Sequence, residues 1–487
     1  MPAESLTRTK TKIVATVGPA CESPERLAEL IDAGVDVFRL NMAHGRNDWR
    51  EAVLARIRDA SRQRERPVAI LADLGGPKIR LGAIAGGSLQ CEAGQLLRFV
   101  ADPAAARAAT DLTSTFPTLV SELQRGDQLL LADGTVALEV TEKTADAAEC
   151  RVVQAGEIRT GGGINLPGVE LHVPALTDKD RDDLRWAAGN DIDFFGLSFV
   201  RRAADVSDLR GELKRLGCTA QIVAKIEKPQ AVAALDEIIA VSDAIMVARG
   251  DLGVEIDVAR IAMVQKDIIR RANAARVPVI TATQMLESMR SSRLPTRAEA
   301  TDVANAILDG TDAVMLSAET AMGQYPIETV LMMGRIAREA ERLLENGGAP
   351  SNRCTVSTPA TGLLDDAAIA TEALVAGASR IADQVAAKLI IVATTTGNTA
   401  LALAKQRSHT PILGISDSDA TARRLCLYWG VTPLVAPRFT DSGEFLRHVT
   451  AWSRARHLVA SGDRVVLIAS THWTTTGHDM IVVQTVS

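Results

Sequence analysis

Short apolar runs recur along the first two thirds of the chain, and each is followed by residues with helical spacing. The runs are rich in valine and isoleucine, which is typical of strands buried on both faces of a sheet. They occupy residues 13–17, 35–41, 68–73, 194–200, 222–227, 244–249, 277–283 and 313–317. Eight strand–helix units close a (β/α)8 barrel, or TIM barrel, so the pattern predicts that fold.

One segment interrupts this alternation after the third predicted strand. Residues 76–165 lack helical spacing and show short strands and turns instead. Within it, residues 128–131 and 136–140 flank a turn at 132–134 and predict a hairpin. We therefore expect an inserted all-β domain, which forms a lid when it stands on the catalytic face of a barrel.

A second α/β pattern follows residues 346–358, a stretch of Gly, Pro, Asn and Ser that is typical of a linker. It begins with a long helix at 365–388 and continues with strands at 389–393, 411–415, 431–435, 464–469 and 480–486. This pattern predicts a small doubly wound α/β domain. The expected domains are a barrel at 1–75 and 166–346, a lid at 76–165, and a C-terminal α/β domain at 359–487.

Composition and charge exclude several classes of protein. Of the 487 residues, 47% are hydrophobic and 23% charged, close to the globular average, which argues against coiled coil, collagen and disorder. Only 3% are aromatic, so the core must consist of Ala, Val, Ile and Leu. A formal net charge of −6 gives no basic surface to attract nucleic acid or an anionic membrane.

The six cysteines are scattered without a CxxC pair, which favours a reduced compartment over a disulfide framework or a zinc site. The N-terminus is polar, without an apolar signal core, and no stretch approaches the roughly 18 apolar residues of a membrane span. We therefore expect a cytoplasmic protein.

Charged and polar residues follow the predicted strands, where the catalytic groups of a TIM barrel lie. In chain order they are Arg39, Asn41, Asp73, Ser198, Lys225, Glu227, Arg249, Asp251, Thr283, Gln284, Ser317 and Glu319, with Lys78 and Arg80 where the lid begins. Arginine and lysine facing carboxylates suit a phosphorylated, anionic substrate held with a metal ion. Mg²⁺ commonly takes one or two carboxylates, which Glu227 and Asp251 would supply. Gly250 can open a helix whose N–H groups receive a substrate carboxylate.

Each of these residues also has an ordinary structural explanation. Asp73 could hold Arg39 or Arg80, and Thr283 could cap a helix. The chain contains no Walker phosphate loop, GxGxxG, HExxH or GxSxG. The residues alone therefore indicate a magnesium-dependent enzyme that acts on a phosphorylated or carboxylated metabolite.

Several strings at these strand ends resemble those of the pyruvate kinase family. They are TKIVATVGPA at 11–20, RLN at 39–41, AKIE at 224–227, MVARGDLGVE at 246–255, ATQMLESM at 282–289, PTRAE at 295–299 and DVANA at 302–306. The match runs in order over nearly the whole chain. The resemblance implies transfer of the phosphoryl group of phosphoenolpyruvate to ADP, giving ATP and pyruvate in glycolysis, and it implies a homotetramer.

The resemblance also implies a role for individual residues. Glu227 and Asp251 would hold Mg²⁺, with Mn²⁺ as a substitute, and Lys225 would stabilise the transferring phosphoryl group and the enolate. Thr283 would help deliver a proton to the enolate through water. The remaining assignments are Arg39 and Arg80 on the phosphoryl group, Gly250 and Asp251 beside the substrate, and Asn41, His44 and Arg80 at the nucleotide. Such a reaction needs positioning and charge neutralisation more than covalent chemistry.

Two departures from the family pattern concern K⁺. The family has serine where this chain has Ala43, and glutamate where it has Lys78 in DLGGPK at 73–78. Asn41, Asp73 and Leu74 occupy the other positions around the ion. Because a lysine ammonium is itself a monovalent cation, Lys78 could replace K⁺, and we predict an enzyme that does not require K⁺.

Two loops bear on the lid and on regulation. The family's lysine ahead of VNLPG is absent before residues 164–168, although Arg159 is near enough in sequence to substitute. The C-terminal domain resembles the family's regulatory domain, and its loop between a strand and a helix could bind an effector phosphate or merely cap the helix. The loop residues are Thr394, Thr395, Thr396, Gly397, Asn398 and Thr399. A second loop, at 471–477, lacks the arginine used by members activated by fructose 1,6-bisphosphate, so we do not expect that effector. A sugar monophosphate or a nucleotide remains open as the effector.

Two other functions compete with this interpretation. A barrel lyase or aldolase would pass through a metal-bound enolate of pyruvate but would not need a nucleotide-covering lid or two phosphate-binding arginines. A non-catalytic metabolite sensor would be expected to lose Lys225, Glu227, Asp251 or Thr283, and all four are present. Both alternatives are therefore disfavoured.

Overall fold

The structure is a computed structural model, and it describes residues 9–169, 173–345, 366–439, 441–469 and 479–487. The linker expected at 346–358 and the second loop at 471–477 lie outside the described residues.

The strands alternate with helices in the barrel and in the C-terminal part, as the apolar runs predict. In chain order the strands are β1 (Lys12–Thr16), β2 (Val37–Asn41), β3 (Ala69–Asp73), β4 (Ser88–Cys91), β5 (Leu96–Val100), β6 (Asp111–Leu112), β7 (Gln128–Leu131), β8 (Val136–Lys143), β9 (Ala147–Gln154), β10 (Gly156–Arg159), β11 (Ile164–Asn165), β12 (Phe194–Leu197), β13 (Gln221–Ile226), β14 (Ala244–Ala248), β15 (Val279–Ala282), β16 (Ala313–Leu316), β17 (Leu389–Ala393), β18 (Ile412–Ser416), β19 (Val431–Val435), β20 (Arg464–Ala469) and β21 (Met480–Thr485).

Several helices begin at recognisable capping residues. The Ser23 side chain accepts a hydrogen bond from Arg26 N ahead of the first helix, and Thr177 and Asp180 form a reciprocal capping box ahead of the fourth. The helices are α1 (Pro24–Ala33), α2 (Asn47–Gln63), α3 (Leu119–Glu122), α4 (Asp178–Ala188), α5 (Ala203–Arg215), α6 (Pro229–Ala233), α7 (Leu235–Val241), α8 (Arg249–Glu255), α9 (Ile261–Ala274), α10 (Arg297–Leu308), α11 (Ala318–Ala321), α12 (Pro326–Glu345), α13 (Asp366–Gln384), α14 (Asn398–Lys405), α15 (Asp419–Leu425) and α16 (Ser442–Ala455).

Eight parallel strands close the barrel in the spatial order β1, β2, β3, β12, β13, β14, β15, β16. This confirms the TIM barrel. Residues that alternate along the strands fill the interior, among them Val14, Leu71, Val223 and Met246, while the intervening residues pack under the helices. The strand β12 ends at Leu197, three residues before its expected end at 200, because Phe199 adopts a positive φ of 57°.

The insertion between β3 and β12 is built from two sheets, of order β10-β4 and β11-β7-β8-β9-β5-β6. The expected hairpin is present, because β7 and β8 pair antiparallel with Leu131 opposite Val136. The one-turn helix α3 also lies in this insertion, so it is predominantly but not wholly β. Its turn Ala132–Gly134 approaches α8, where Gly134 faces Val254.

The C-terminal part forms one sheet of order β19-β18-β17-β20-β21, in which β21 alone runs antiparallel. The first helix, α13, ends four residues before its expected end at 388, and Ala386 with φ 51° turns the chain into β17. This domain docks on the end of the barrel where the strands begin, with Lys405 Nζ 2.6 Å from Asp312 Oδ2. In the described part of the chain, no helix is long and apolar enough to cross a membrane.

Candidate active site

A cluster of buried charges lies where β2, β3, β12 and β13 end. Lys225 Nζ lies 2.9 Å from Glu227 Oε1, 3.2 Å from Asp73 Oδ1, and donates to Ser198 Oγ at 2.7 Å. On the other side of Asp73, Arg39 Nε donates to Oδ2 at 2.8 Å. The structure therefore brings together five of the strand-end residues named from the sequence, namely Arg39, Asp73, Ser198, Lys225 and Glu227.

Burial and neighbouring charges act against each other in this cluster. Burial lowers the pKa of Lys225, but Asp73 and Glu227 outweigh it, so the pKa is raised and the ammonium stays charged. Burial raises the pKa of Asp73, but Lys225 and Arg39 outweigh it and the pKa is lowered. For Glu227, burial raises the pKa, Lys225 opposes this, and Asp251 adds to it, so the pKa is raised overall.

Glu227 and Asp251 are the carboxylates that could hold a divalent ion. Asp251 lies in the first turn of α8, directly after β14, and its charge acts on both Glu227 and Lys225. Phe199 N donates to Glu227 Oε2 at 2.9 Å, which orients that carboxylate. Among the described residues no group of three or more His, Cys, Asp or Glu side chains forms a metal site. The two oxygen-donor side chains fit Mg²⁺, which leaves its other positions to water and substrate.

Thr283 connects the end of β15 to the start of α8. Its Oγ1 accepts a hydrogen bond from Gly250 N and donates to Ala282 O, both at 2.7 Å. Thr283 and Gln284 have φ of 66° and 54°, values that are rare outside glycine and recur at functional sites. A Cβ on Gly250 would lie only 3.3 Å from Thr283 Oγ1, so the close approach favours glycine there.

Arg249 and Glu319, which also follow barrel strands, have structural partners. Arg249 pairs with Asp302 at 2.6 Å and donates to Thr283 O at 2.8 Å, so it holds the backbone that carries the Thr283 hydroxyl. The fully buried Glu319 accepts from Leu286 N at 3.2 Å and from its own loop. In the sequence, Arg249 and Glu319 follow barrel strands just as the residues around Lys225 do. Only the partners seen in the structure show that their role is structural.

Other candidates lie beside the cluster without joining it. The half-buried Arg80 donates to Gly161 O at 3.0 Å, at the base of the insertion. Asn41 lies opposite Asp73 in the β2–β3 pair, and Leu74 follows Asp73 in the chain. Asn41 Oδ1 accepts a hydrogen bond from Ala43 N at 3.1 Å. His44 is exposed.

Lys78 and Arg159 differ in their partners. Lys78 is exposed, and within the described ranges its side chain has no hydrogen-bond or ion-pair partner. Arg159 is exposed and pairs with Glu157 at 2.8 Å, so it does not extend toward the barrel in this structure.

The candidate effector loop precedes α14 in the C-terminal sheet. Thr394 Oγ1 accepts from Gly397 N at 2.9 Å, and Gly397 has φ 91°. Thr394 thus orders the turn that precedes α14, whose N-cap position is Gly397 and which has no side-chain cap bond. Thr395, Thr396 and Asn398 are exposed at the start of the helix, while Thr399 is buried.

Comparison with known proteins gives concordant matches. Two family models match, "Pyruvate kinase, barrel domain" over residues 8–330 and "Pyruvate kinase, alpha/beta domain" over residues 372–484. A pyruvate kinase of Geobacillus stearothermophilus is 40% identical over 463 residues, covering 94% of this chain and 77% of that relative. Pyruvate kinase 2 of a Synechocystis strain is 39% identical over 466 residues, covering 95% and 76%. The crystal structure of a pyruvate kinase from Cryptosporidium parvum matches with a TM-score of 0.91 at 35% identity, covering 99% of this chain and 97% of that one.

Proposed function

This chain belongs to the pyruvate kinase family and transfers the phosphoryl group of phosphoenolpyruvate to ADP, giving ATP and pyruvate in glycolysis; from that premise we propose which residues carry the reaction. The observation that supports the assignment is the Lys225 ammonium between Asp73 and Glu227. Because its pKa is raised, Lys225 acts as a fixed cation that stabilises the transferring phosphoryl group and the enolate, not as a proton donor.

Two arginines would bind the phosphoryl group from different sides. Arg39 is oriented by Asp73 and by Thr16, whose Oγ1 accepts from Arg39 Nη1 at 3.1 Å. Arg80, at the base of the insertion, would add a second guanidinium when the lid covers the site. Planar guanidinium groups suit two-point binding of phosphoryl oxygens.

Glu227 and Asp251 would hold Mg²⁺, or Mn²⁺ in its place, beside Lys225. When bound, the ion neutralises charge on the phosphoryl oxygens. Gly250 and Asp251 would face the substrate, with the N–H groups of α8 toward its carboxylate. Thr283, held by Gly250 N, would move a proton to the enolate through water.

Asn41 and His44 would lie at the nucleotide with Arg80. The monovalent cation of the family would be replaced here by Lys78, close in sequence to Asp73 and Leu74. The exposed Lys78 ammonium is available for this role. We therefore propose that the enzyme is active without K⁺, and that Lys78→Glu creates a K⁺ requirement. Assays in buffer free of sodium and potassium test this; strong activation of the unaltered enzyme by K⁺ would contradict it.

The catalytic assignment is tested by a coupled assay with phosphoenolpyruvate, ADP and Mg²⁺. We expect Lys225→Met to lower kcat by about a thousandfold, since it removes a cation aimed at developing charge. Lys214→Met, which removes an exposed lysine on α5, is the matched control and should behave like the unaltered enzyme. Full activity of Lys225→Met would show that the reaction does not depend on this ammonium.

Regulation is proposed from the exposed loop before α14, and assembly from the family resemblance. Thr395, Thr396 and Asn398, exposed at the start of α14, would receive a phosphorylated effector. The family resemblance favours a cytoplasmic homotetramer. Isothermal titration with a sugar monophosphate and with AMP tests the effector site, and absence of binding by both would contradict it.

A further inference from the structure

We propose that Arg50 is a positioning residue for the nucleotide, because its buried guanidinium fixes the backbone of the loop that follows β2. This inference rests on the proposed function, in which Asn41 and His44 of that loop lie at ADP. Arg50 belongs to α2 and is 3% exposed. Within the described residues, its side-chain hydrogen bonds go to the side chains of Asn47 and Asp183 and to backbone oxygens, and to no side chain proposed to contact substrate.

The Arg50 guanidinium holds two successive parts of the loop. Its Nη2 donates to Met42 O at 2.6 Å and to His44 O at 3.0 Å. The loop residues Ala43, His44 and Gly45 are exposed, so they have little packing of their own to define their shape. Ala43 N and His44 N donate within the loop, to Asn41. The two bonds from the charged donor Arg50 tie the loop to α2.

A second buried group holds the guanidinium in turn. Arg50 Nη1 donates to Asp183 Oδ1 at 2.8 Å, and Asp183 Oδ2 lies 2.6 Å from Lys179 Nζ. Lys179 Nζ also donates to Met42 O, at 2.7 Å. Both cations share one carboxylate and one carbonyl oxygen, and this pairing offsets the cost of burying the charge of Arg50.

The helix α4, which carries Asp183 and Lys179, also holds the loop that follows β3. Asp180, in the first turn of α4, accepts from Gly76 N at 3.2 Å, in the loop between Asp73 and Lys78. The start of α4 thus fixes both loops proposed to form the nucleotide and monovalent-cation positions. A change that frees the loop after β2 would leave the cluster around Lys225 in place, so ADP binding should suffer and phosphoenolpyruvate binding should not.

A second arginine of α2 provides the matched control. Arg58, about two turns further along the helix, donates to Val68 O at 2.9 Å and pairs with Asp193 at 3.0 Å. It makes the same kind of bond, from a charged donor to a backbone oxygen and a buried carboxylate, at the end of the barrel away from the proposed site. Loss of Arg58 should lower stability without changing nucleotide affinity.

The experiment compares Arg50→Met, Arg50→Lys and Arg58→Met by steady-state kinetics, by calorimetric titration with MgADP and by thermal unfolding. We expect Arg50→Met to raise KM and Kd for ADP about tenfold, the equivalent of one charged hydrogen bond, with KM for phosphoenolpyruvate unchanged. Arg50→Lys should recover part of the affinity, because an ammonium can still reach one carbonyl oxygen.

Three outcomes would overturn the inference: an unchanged Kd for ADP in folded Arg50→Met, an equal rise in both KM values, or the same loss of ADP affinity in Arg58→Met. If Arg50→Met does not fold, Asp183→Asn keeps the guanidinium but removes its anchor, and it should raise Kd for ADP in the same direction; an unchanged Kd in that variant would also overturn it. An unaltered enzyme inactive on phosphoenolpyruvate and ADP would refute the proposed function instead.

Discussion

The Arg39 guanidinium and the Asp73 carboxylate meet across two neighbouring strands, with Arg39 Nε and Nη2 both donating to Asp73 Oδ2. The parallel pairing of β2 and β3 sets this contact, since it places Asn41 opposite Asp73 and Arg39 two residues earlier. The other carboxylate oxygen faces Lys225 Nζ. One buried anion therefore holds Arg39 and Lys225, two of the three cations proposed to receive the phosphoryl group, before any substrate binds, which is the preorganisation that electrostatic catalysis requires.

Asp73→Asn keeps the shape of this side chain and removes its charge. We expect kcat to fall by about a hundredfold to a thousandfold, because Arg39 and Lys225 lose the anion that orients them. The measurement is the coupled assay at saturating phosphoenolpyruvate and ADP.

The control for Asp73→Asn is a carboxylate buried at the opposite end of the barrel. Asp193 pairs with Arg58 at 3.0 Å and with Arg423 at 2.7 Å. Asp193→Asn should lower the melting temperature and leave kcat unchanged. An Asp193→Asn enzyme as slow as Asp73→Asn would show that loss of a buried charge, and not the position of Arg39, slows the reaction.

The stability of the insertion should depend on pH through Asp111. Hydrogen bonds from Arg98, and then from the backbone of Ala108 and Arg107, lower the pKa of this carboxyl. Because the folded-state pKa lies below the unfolded one, the stabilisation is complete above the unfolded value and is lost as pH falls through the folded value. Asp111→Asn should therefore destabilise the insertion at pH 7, by about 2 kcal/mol, and matter progressively less in acid.

Hydrogen exchange of β5 and β6 between about pH 7 and pH 3 measures this difference, with the exchange rates corrected for their intrinsic pH dependence. Glu139→Gln is the control, since the exposed pair of Glu139 and Arg151 contributes little at any pH. A destabilisation by Asp111→Asn that stayed constant from about pH 7 to pH 3 would exclude the charge of Asp111 as its cause, because the loss must begin once the pH falls below the unfolded-state pKa.

The buried cysteines should resist alkylation while the protein is folded. Burial raises the pKa of Cys21 to about 11 and that of Cys150 to about 12. Since the thiolate is the reactive form, both should remain unlabelled by iodoacetamide at about pH 8. Partly exposed Cys218 is the internal comparison and should be labelled first. Peptide mapping before and after unfolding measures the extent of alkylation at each cysteine. Early labelling of Cys150 would mean that the sheet containing β9 opens readily.

The barrel and the strand-end cluster could be predicted from the sequence because parallel strands buried on both faces leave continuous apolar runs. The end of each run then locates Arg39, Asp73, Lys225 and Glu227 at one rim. The position of a charged residue after a strand does not, however, reveal which groups it will contact. Glu319 has the same sequence context as Glu227, yet it accepts backbone N–H groups and has a structural role.

Contacts between residues distant in sequence were beyond prediction. Arg50 and Asp183 are separated by 133 positions, and each looks like an ordinary polar residue on a helix. The positive φ of Phe199, which ends β12 and directs its N–H at Glu227, also leaves no trace in the order of residues, because such a conformation is imposed by the surrounding fold.

Docking of the C-terminal domain on the barrel should depend on Lys405. This lysine, 5% exposed at the end of α14, lies 2.6 Å from Asp312 Oδ2 and donates to Asn273 Oδ1 at 2.7 Å and Val277 O at 2.9 Å. Among the described residues, Lys405→Met leaves the buried carboxylate of Asp312 with Arg407 Nη2, at 3.0 Å, as its remaining cation, so we expect a loss of about 3 kcal/mol, the low end for a broken buried pair. We expect the two domains to unfold at separate urea concentrations in this variant.

A double-mutant cycle with Asp312→Asn distinguishes charge pairing from packing. The amide can still accept from Val279 N, which Asp312 Oδ2 contacts at 2.8 Å, so the backbone at the start of β15 keeps its partner. Because the double variant has no buried anion that relies on Arg407 alone, it should be more stable than Lys405→Met. Simple addition of the two losses would mean that Lys405 contributes through its packed methylene chain and its bonds to Asn273 and Val277, and that its charge does not hold the domains together.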